Sequence, residues 1–261
     1  MILPTLNERE NIVVLIEQIV CSNILPKATK VIVVDDGSTD GTRESLESLS
    51  HRHQNLRVLH RDEKKNLPSA IYYGVKASST EYVAWMDADL SMPLEALERM
   101  WRKVQQGIPV VIGSRFISGG GFKGIDFSSR NSLGQLRKNL KDTRESFMAV
   151  VLSRAFNYGL RLLSFSEVLD VTSGFIIIRR KLVKAEWFNC QYGEYFLNVV
   201  NAISNGPLKF VEVPYVNLPR AFGHSKTGST LFELVSRGIP YIKLSMRLYL
   251  KRTLRKVSSS A

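Results

Sequence analysis

Two aspartates that follow a short apolar run are residues whose type and spacing suggest chemistry. The stretch EYVAWMDADLSMP predicts a strand from Tyr82 to Met86, followed by Asp87 and Asp89. Residues two apart in an extended chain point to the same side, so both carboxylates are expected to face one ligand. Two like charges this close are unfavourable unless a cation lies between them, and Mg²⁺ or Mn²⁺ prefers such hard oxygen ligands. The alternative is that Asp89 and Ser91 only lead into the next helix.

A second acidic motif follows another apolar strand. In VIVVDDGSTDGT, Asp35 and Asp36 end the predicted strand and precede a glycine-containing turn into a helix. A carboxylate at this position can accept hydrogen bonds from ribose hydroxyls or from the N–H groups of a base. The alternative is structural: Asp36, Ser38 and Asp40 would build the turn and cap the helix.

Strands and helices alternate along the chain, which predicts a largely parallel sheet with helices on both faces. In such α/β sheets, ligands bind beyond the carboxyl ends of the strands, where both acidic motifs fall. Ser91 is expected to be the N-cap of the fourth helix, with Pro93 in its first turn and Gly107 closing it. The predicted strands are Val31 to Asp35, Tyr82 to Met86, Val110 to Gly113, Gly174 to Ile178 and Phe210 to Val213. The predicted helices are Glu8 to Val20, Thr42 to Leu49, Pro68 to Ala77 and Pro93 to Gln106.

The composition limits the class of protein and of partner. The 261 residues are 44% hydrophobic, enough to bury the core of one large α/β domain, and the net charge of +12 favours an anionic partner. Cys21 and Cys190 are far apart and lack metal-site spacing, so neither a disulfide framework nor a zinc site is predicted, and a reducing compartment is expected. No window resembles a membrane span, so the chain itself is not expected to be an integral membrane protein.

Four short motifs occur in order, each at the end of a predicted strand: LPTLNERENI (3–12), VIVVDDGSTDGT (31–42), MDADLSMP (86–93) and GSRF (113–116). Together they resemble the inverting glycosyltransferases of family two, which have the GT-A fold. SRAFN (153–157), DVTSGF (170–175) and RAFGHSK (220–226) resemble more specifically the polyprenyl-phosphate branch, typified by dolichol-phosphate mannose synthase. The resemblance covers Leu3 to about Gly228 and implies a GT-A catalytic domain over residues 1–228.

The resemblance implies a role for each matching residue around a nucleotide-sugar donor. Pro4, Asn7 and Glu8 would contact the nucleoside, with Glu8 on the ribose, and Asp36 would hold the base or ribose. The residues implied around the diphosphate and its Mg²⁺ or Mn²⁺ ion are Asp87, Asp89, Ser91, Arg220 and Lys226. Asp87 would lie near the ribose and inner phosphate, and Asp89, helped by Ser91, would bind the metal.

The same resemblance implies an acceptor side. Arg115 would orient the sugar, and Arg154, Ser173 and Asn157 would bind the phosphate of a dolichyl or polyprenyl acceptor, which Asp170 would position. A lipid monophosphate is already anionic near neutral pH, so it needs alignment more than a base. The metal, Arg220 and Lys226 would stabilise the departing nucleoside diphosphate, and attack from the opposite face would invert the anomeric centre.

Three positions depart from the family pattern. Leu6 stands where an aromatic residue is common, Asn66-Leu67-Pro68 replaces Gly-Leu-Gly, and Leu169 lacks the basic group often found beside the Asp170 motif. The stretch from Ile117 to Glu145 also looks longer than in relatives. We expect this stretch to form a mobile loop over 117–147 whose basic residues help to bind the acceptor. The alternative is a solvated, partly disordered segment without a binding role. These cations are Lys123, Arg130, Arg137, Lys138, Lys141 and Arg144.

The last segment, 229–261, predicts a basic amphipathic helix. From Leu234 onward there is no acidic residue, and Lys243, Arg247, Lys251 and Arg255 recur every four positions. A helix of this kind commonly lies on the surface of an anionic bilayer. The alternative is a helix that packs on the domain and leaves its basic face in solvent. We therefore expect a peripheral enzyme on the cytoplasmic side of a membrane. Because many relatives add transmembrane helices after this point, the alternatives are a small membrane partner subunit or a shortened chain.

The predicted activity is inverting transfer of a hexose, preferably mannose from GDP-mannose, to dolichyl or polyprenyl phosphate. The motifs equally fit UDP-glucose or another UDP-sugar as donor. A family-two enzyme with a soluble or polysaccharide acceptor is a second alternative, but a sugar hydroxyl would need a clear general base. Nucleic acid is not expected as a partner, because the basic residues concentrate in a loop and a terminal helix instead of alternating with aromatic residues on one face.

Overall fold

A computed structural model describes residues 1–22, 25–62, 66–122, 125–126, 147–223 and 231–258. Seven helices are described: α1 (Arg9–Cys21), α2 (Thr42–Arg52), α3 (Leu67–Ala77), α4 (Leu94–Gln105), α5 (Phe147–Ser164), α6 (Tyr195–Ser204) and α7 (Leu231–Ser258). The strands are β1 (Ile2–Thr5), β2 (Val31–Asp35), β3 (Leu56–His60), β4 (Tyr82–Trp85), β5 (Val110–Ser114), β6 (Gly121–Phe122), β7 (Ile125–Asp126), β8 (Ile176–Arg179), β9 (Phe210–Pro214) and β10 (Val216–Asn217).

Seven strands form one sheet in the order β3-β2-β1-β4-β8-β5-β9. Neighbours are parallel except at β8, which runs antiparallel to both β4 and β5. The strand order reverses between β1 and β4, and in α/β sheets this switch point opens a crevice beyond the strand ends. Because β8 is antiparallel, the residues that precede it reach the same edge as the residues that follow β1, β2, β4 and β5.

Apolar layers cover both faces of the sheet, as the alternation of elements predicts. On one face, Leu15, Leu46 and Met100 come from α1, α2 and α4. On the other, Trp85 donates its indole N–H to the hydroxyl of Tyr195 at 2.9 Å, directly below the turn that follows β4. The predicted α/β fold with a largely parallel sheet is confirmed.

Several local predictions are confirmed and others are wrong. Gly107 closes α4 with a φ of +85°, as predicted. Ser91 does not cap α4, because the N-cap position is Pro93 and the helix begins at Leu94 without a side-chain cap. The strand β3 was not predicted, since its short LRVLH run mixes three apolar residues with two basic ones. Part of the 117–147 excursion is also regular, because β6 pairs with β7 and β10 in a small second sheet.

Helices α5 and α7 pack together and share an exposed apolar surface. Phe156 of α5 contacts Tyr241 of α7 with ring centroids 5.9 Å apart, and Phe165 stacks on Tyr249 at 5.5 Å. The surface, called the apolar ridge below, comprises Val151, Leu152, Tyr158, Leu162, Phe165, Ile239, Ile242, Met246, Tyr249, Leu250 and Leu254, all exposed. Helix α7 therefore packs on the domain, and its outer face is apolar as well as basic, while its binding to an anionic bilayer stays a prediction. None of the described helices combines the length and apolar character needed to cross a bilayer.

Candidate active site

A turn beyond β4 brings Asp87 and Asp89 together. The strand ends at Trp85, so the alternation expected from an extended chain does not place these carboxylates. Leu90 has a left-handed φ of 64°, a costly conformation for a bulky residue that is found most often at functional sites. The Ser91 N–H donates to Asp89 Oδ1 at 3.0 Å and thereby orients that carboxylate. Ser91 thus contributes a main-chain group to the turn, and its binding of metal stays a prediction.

The carboxylate of Asp87 has a raised pKa. Its side chain is accessible from the cleft, but protein surrounds the carboxylate on the remaining sides. This desolvation, together with the charge of Asp89, raises the pKa of Asp87 to about 7, although Arg115 and Arg220 act in the opposite direction. Burial and the charge of Asp89 thus outweigh the two guanidinium groups, and the charged form of Asp87 is disfavoured in the ligand-free protein.

Arg220 spans the crevice between the β1 and β4 ends. Its Nη1 atom donates to both oxygens of Glu8, at 2.8 and 2.9 Å, and its Nη2 atom lies 3.4 Å from Asp89 Oδ2. Glu8, predicted to contact the nucleoside, and Asp89, predicted to bind the metal, thus both contact the Arg220 guanidinium. Lys226, predicted to act with Arg220, lies outside the described residues.

Hydrogen bonds join the segments that follow β1 and β2. Asn7, at a φ of 52°, accepts the Thr39 N–H through its side chain at 2.8 Å, and its own N–H donates to Ser38 Oγ at 2.8 Å. Asp40 accepts the Arg9 N–H at 3.2 Å and the Thr42 N–H at 3.1 Å, so the structural interpretation of Asp40 is supported. Pro4 lies buried inside β1, in register with Val34, and its contact with a nucleoside stays a prediction.

Asp36 and Asp35 differ in their partners. Asp36 is buried and accepts a hydrogen bond from Arg61 Nε at 2.6 Å. The Arg61 guanidinium, which was not predicted from the sequence, therefore lies beside the carboxylate that is predicted to bind the base or ribose. Asp35 is fully buried and accepts the Ser38 N–H at 3.2 Å, with His60 Nδ1 at 3.2 Å. Arg61 directly follows β3, so the missed strand is the reason that Arg61 was also missed.

On the other side of Asp87, Arg115 and Asp170 form a buried ion pair. Arg115 donates from Nε to Asp170 Oδ2 at 2.8 Å, from Nη2 to Oδ1 at 2.8 Å and from its main-chain N–H to Oδ2 at 2.9 Å. Burial alone would lower the pKa of Arg115, but the adjacent Asp170 more than offsets this and raises it above its ordinary value. Asp170 therefore has its basic partner from the end of β5, although Leu169 supplies none.

The loop from Leu169 to Phe175 is held on several sides. The Asn157 amide donates to Leu169 O at 2.6 Å and accepts the Val171 N–H at 3.0 Å. Ser173 Oγ donates to Gly113 O at 2.5 Å. These contacts occupy the polar groups of Asn157 and Ser173 in the ligand-free protein, so the predicted phosphate contacts of both residues remain predictions that would need rearrangement.

Arg154, which is predicted to bind the acceptor phosphate, is accessible to a ligand from outside the protein. It is exposed on α5, three residues from Asn157 and from Val151 of the apolar ridge. The cations predicted in the 117–145 excursion all lie outside the described residues. The structure thus brings Glu8, Asp87, Asp89 and Arg220 into one group, with the Arg115–Asp170 pair next to Asp87.

The described residues can hold a divalent cation only together with a ligand. No group of three or more His, Cys, Asp or Glu side chains arranged around a metal site occurs in the described ranges. Two carboxylates with excess negative charge nevertheless fit Mg²⁺ or Mn²⁺, because these ions are commonly held by one or two carboxylates plus substrate phosphates. The donor set is oxygen only, which excludes a site built for a soft metal.

Comparison with known proteins identifies the family. Residues 1–187 match the sequence family Glycosyl transferase family 2. The chain is 32% identical over 234 residues to a dolichol-phosphate mannosyltransferase of Pyrococcus furiosus, covering 89% of this chain and 60% of that protein. It is 29% identical over 242 residues to a polyprenol monophosphomannose synthase of Mycolicibacterium smegmatis, covering 89% and 82%.

The fold agrees with this match. A solved structure of glucosyl-3-phosphoglycerate synthase from Mycobacterium tuberculosis, in complex with Mn²⁺, UDP and glucosyl-3-phosphoglycerate, superposes with a TM-score of 0.60 at 18% identity, covering 92% of this chain and 76% of that chain. The seven-stranded sheet and its strand order thus belong to a GT-A fold. The chain belongs to glycosyl transferase family 2.

Metal affinity should depend on pH through Asp87. Because its pKa is raised from 3.8 to about 7, the folded protein without metal holds a proton that the unfolded chain releases, and its stability falls as pH rises through that window. A cation must displace this proton, so Mn²⁺ affinity in the presence of GDP is expected to rise up to pH about 7 and then level off. Calorimetry from pH about 5.5 to about 8 measures this. Asp87→Asn should bind more weakly and remove most of the slope; an equal slope in both proteins contradicts the assignment.

Proposed function

We propose that this protein transfers a mannosyl group from GDP-mannose to dolichyl or polyprenyl phosphate with inversion. One observation favours a lipid acceptor: helix α5 carries part of the apolar ridge and also contacts the predicted acceptor site. Asn157 bonds to the loop that carries Asp170, and Val151, Tyr158 and Leu162 lie on the exposed face of the same helix. An apolar surface of this extent marks an interaction site. The two sequence relatives are named for mannosyl transfer to lipid phosphates.

The donor is proposed to bind across the switch point. Glu8 and Asn7 line the β1 side for the nucleoside, and the buried Asp36 with Arg61 stands where a base would lie. Asp87 and Asp89 would hold Mg²⁺ or Mn²⁺ together with the diphosphate. Bound there, the metal would supply positive charge to the leaving diphosphate. Arg220, which now contacts Asp89 and Glu8, is close enough to add its charge to the same group.

The reaction itself requires little proton transfer. An oxygen of the lipid phosphate forms a bond to the anomeric carbon, the bond from that carbon to the diphosphate breaks, and the nucleoside diphosphate leaves with the electron pair. The phosphate is already ionised near neutral pH, so alignment matters more than a base. Arg115 is proposed to orient the sugar, and Asp170 holds its guanidinium in one position. Arg154 is proposed to receive the acceptor phosphate.

The donor base is the less constrained part of the proposal. The superposed structure contains UDP, so the fold alone does not specify a guanine nucleotide. Asp36 can accept N–H groups of either guanine or uracil, so this carboxylate does not select between them. The preference for mannose comes from the sequence relatives, and UDP-glucose is the alternative donor. The chain spans 60% of the length of the Pyrococcus furiosus relative, so functions of the remaining part of that protein are not transferred here.

The test measures transfer of radiolabelled sugar into organic-extractable lipid. Purified protein is incubated with dolichyl phosphate and Mn²⁺ and, in separate reactions, with GDP-mannose or UDP-glucose. Label from GDP-mannose alone is the expected result. Label from UDP-glucose alone would replace the donor but keep the reaction class, and no lipid label from either donor despite nucleotide binding would favour a soluble-acceptor transferase or a missing membrane partner.

The apolar ridge is also proposed to seat the protein on the membrane surface, as a peripheral enzyme facing the cytoplasm. Met246 and Leu250 are exposed on α7, and Lys243, Arg247 and Lys251 flank them on the same helix. Burying apolar side chains while cations meet anionic headgroups is how interfacial helices bind. Substituting Met246→Glu and Leu250→Glu together should weaken flotation with anionic vesicles at least ~10-fold. The matched control is Tyr73→Glu, an exposed aromatic residue on α3; equal flotation of both variants would contradict the membrane surface.

A further inference from the structure

The segment from Asn217 to Gly223, called the Arg220 loop below, is held at both of its ends. At its start, Leu218 N–H donates to Ser91 O at 2.8 Å and Asn217 Nδ2 donates to the same oxygen at 3.3 Å. This end of the loop is therefore bonded to the turn after β4 that contains Asp87 and Asp89. At its far end, the loop is tied to helix α1. Arg220 lies between these two attachments.

The attachment to α1 consists of one side chain, Asn11. Its Oδ1 accepts the Phe222 N–H at 3.1 Å, and its Nδ2 donates to Phe222 O at 3.1 Å, so the amide pairs with both main-chain groups of one loop residue. Nδ2 also donates to Glu8 Oε2 at 2.8 Å. Asn11 is 3% exposed, so these bonds are shielded from competition with water.

We propose that Asn11 is a positioning residue for the donor site. It holds the Glu8 carboxylate from one side and the Arg220 loop from the other, and Arg220 closes the arrangement by donating to Glu8. The guanidinium therefore stands beside Asp89 before any ligand arrives, and a diphosphate would meet a cation that is already in place. Such preorganisation increases affinity because the loop need not be ordered on binding.

This inference deepens the proposed function and rests on it where it names the diphosphate as the ligand. Its first test requires no ligand. Hydrogen exchange of the ligand-free protein is compared for wild type, Asn11→Ala and Asn11→Asp. The Phe222 amide is expected to exchange at least ~10-fold faster in both variants, since each loses hydrogen bonds that fix it. Aspartate keeps the acceptor for Phe222 N–H but places an oxygen against Glu8 and Phe222 O, so an unperturbed Asn11→Asp protein would contradict the role of the amide nitrogen.

The matched control is Asn198→Ala. Asn198 is also a helix-borne amide, on α6, and it donates to Trp187 O at 3.1 Å. This variant should speed exchange near Trp187 and leave residues 217–223 unchanged. Unchanged exchange of Phe222 in Asn11→Ala would overturn the proposal whatever the protein transfers.

The second test separates positioning from a general loss of structure. Affinity for GDP with Mn²⁺ is measured in wild type, Asn11→Ala, Arg220→Ala and the double variant. Asn11→Ala is expected to weaken binding ~10-fold in the wild-type background but less than ~3-fold when Arg220 is absent, because Asn11 acts through Arg220. Equal losses in both backgrounds would overturn the proposal. A wild-type protein that binds neither GDP nor UDP would overturn both the diphosphate role and the proposed function, while faster exchange at Phe222 would still establish the anchor.

Discussion

Replacing Asp89 by alanine is expected to reduce sugar transfer to lipid phosphate ~10³-fold while leaving the protein folded. Asp89 would supply the carboxylate closest to the diphosphate, and Arg220 pairs directly with Asp89 and with Glu8. The loss should appear mainly in kcat, because charge on the diphosphate develops as the sugar bond breaks. The measurement is the rate of label entering the lipid phase at saturating Mn²⁺.

The same variant makes a second, independent prediction at equilibrium. Without the Asp89 charge, one of the causes that raise the pKa of Asp87 disappears, so the pH dependence of Mn²⁺ binding should move to lower pH as binding weakens. Glu98→Gln is the control, because Glu98 lies on α4 just beyond the motif and forms a surface ion pair with Arg102 at 2.6 Å. Transfer by Asp89→Ala within a factor of about 10 of wild type would exclude Asp89 from the role assigned here.

Short motifs predicted several residues that the structure brings together, because these motifs mark where the chain leaves the sheet. Asp87 and Asp89 were recognised as neighbours from their spacing, and they are neighbours, but the expected reason was wrong. The strand stops at Trp85, and a left-handed Leu90 turns the chain so that Asp89 meets Ser91 N–H. The spacing of two residues in the sequence predicts that they are close to each other. It does not predict the conformation of the turn between them, which depends on contacts with the rest of the protein.

Residues that complete the site from distant segments were harder to predict. Asp170 was expected at the acceptor side, but its pairing with Arg115 was not predicted. The pairing depends on β8 running antiparallel, and the local sequence pattern of a strand does not indicate its direction in the sheet. Arg61 was missed with β3, and Asn11 was missed although it lies one helical turn after Glu8. The i, i+3 spacing of Glu8 and Asn11 was the available signal, but the partner of Asn11 is 211 residues away in sequence.

Replacing Asp170 by alanine is expected to lower the free energy of unfolding by ~3–5 kcal/mol, the cost of leaving a buried guanidinium without its carboxylate. Asp170 is fully buried, the Arg115 side chain is 12% exposed, and three donors of Arg115 converge on the carboxylate. Chemical denaturation of wild type and variant measures the difference. Arg102→Ala, which breaks a surface pair with Glu98, should change stability by less than ~0.5 kcal/mol.

A double substitution, Asp170→Leu with Arg115→Met, separates stability from chemistry. Buried ion pairs can often be replaced by apolar residues of similar volume without loss of stability, so this variant should recover most of what Asp170→Ala loses. Transfer should nevertheless stay at least ~10²-fold below wild type, because the Arg115 guanidinium that is proposed to orient the sugar is absent. Recovery of both stability and transfer would show that the pair serves only to hold β5 against the 169–175 loop. Recovery of stability alone would place Arg115 in the reaction itself, since its charge, and not the packing around it, would then be what transfer requires.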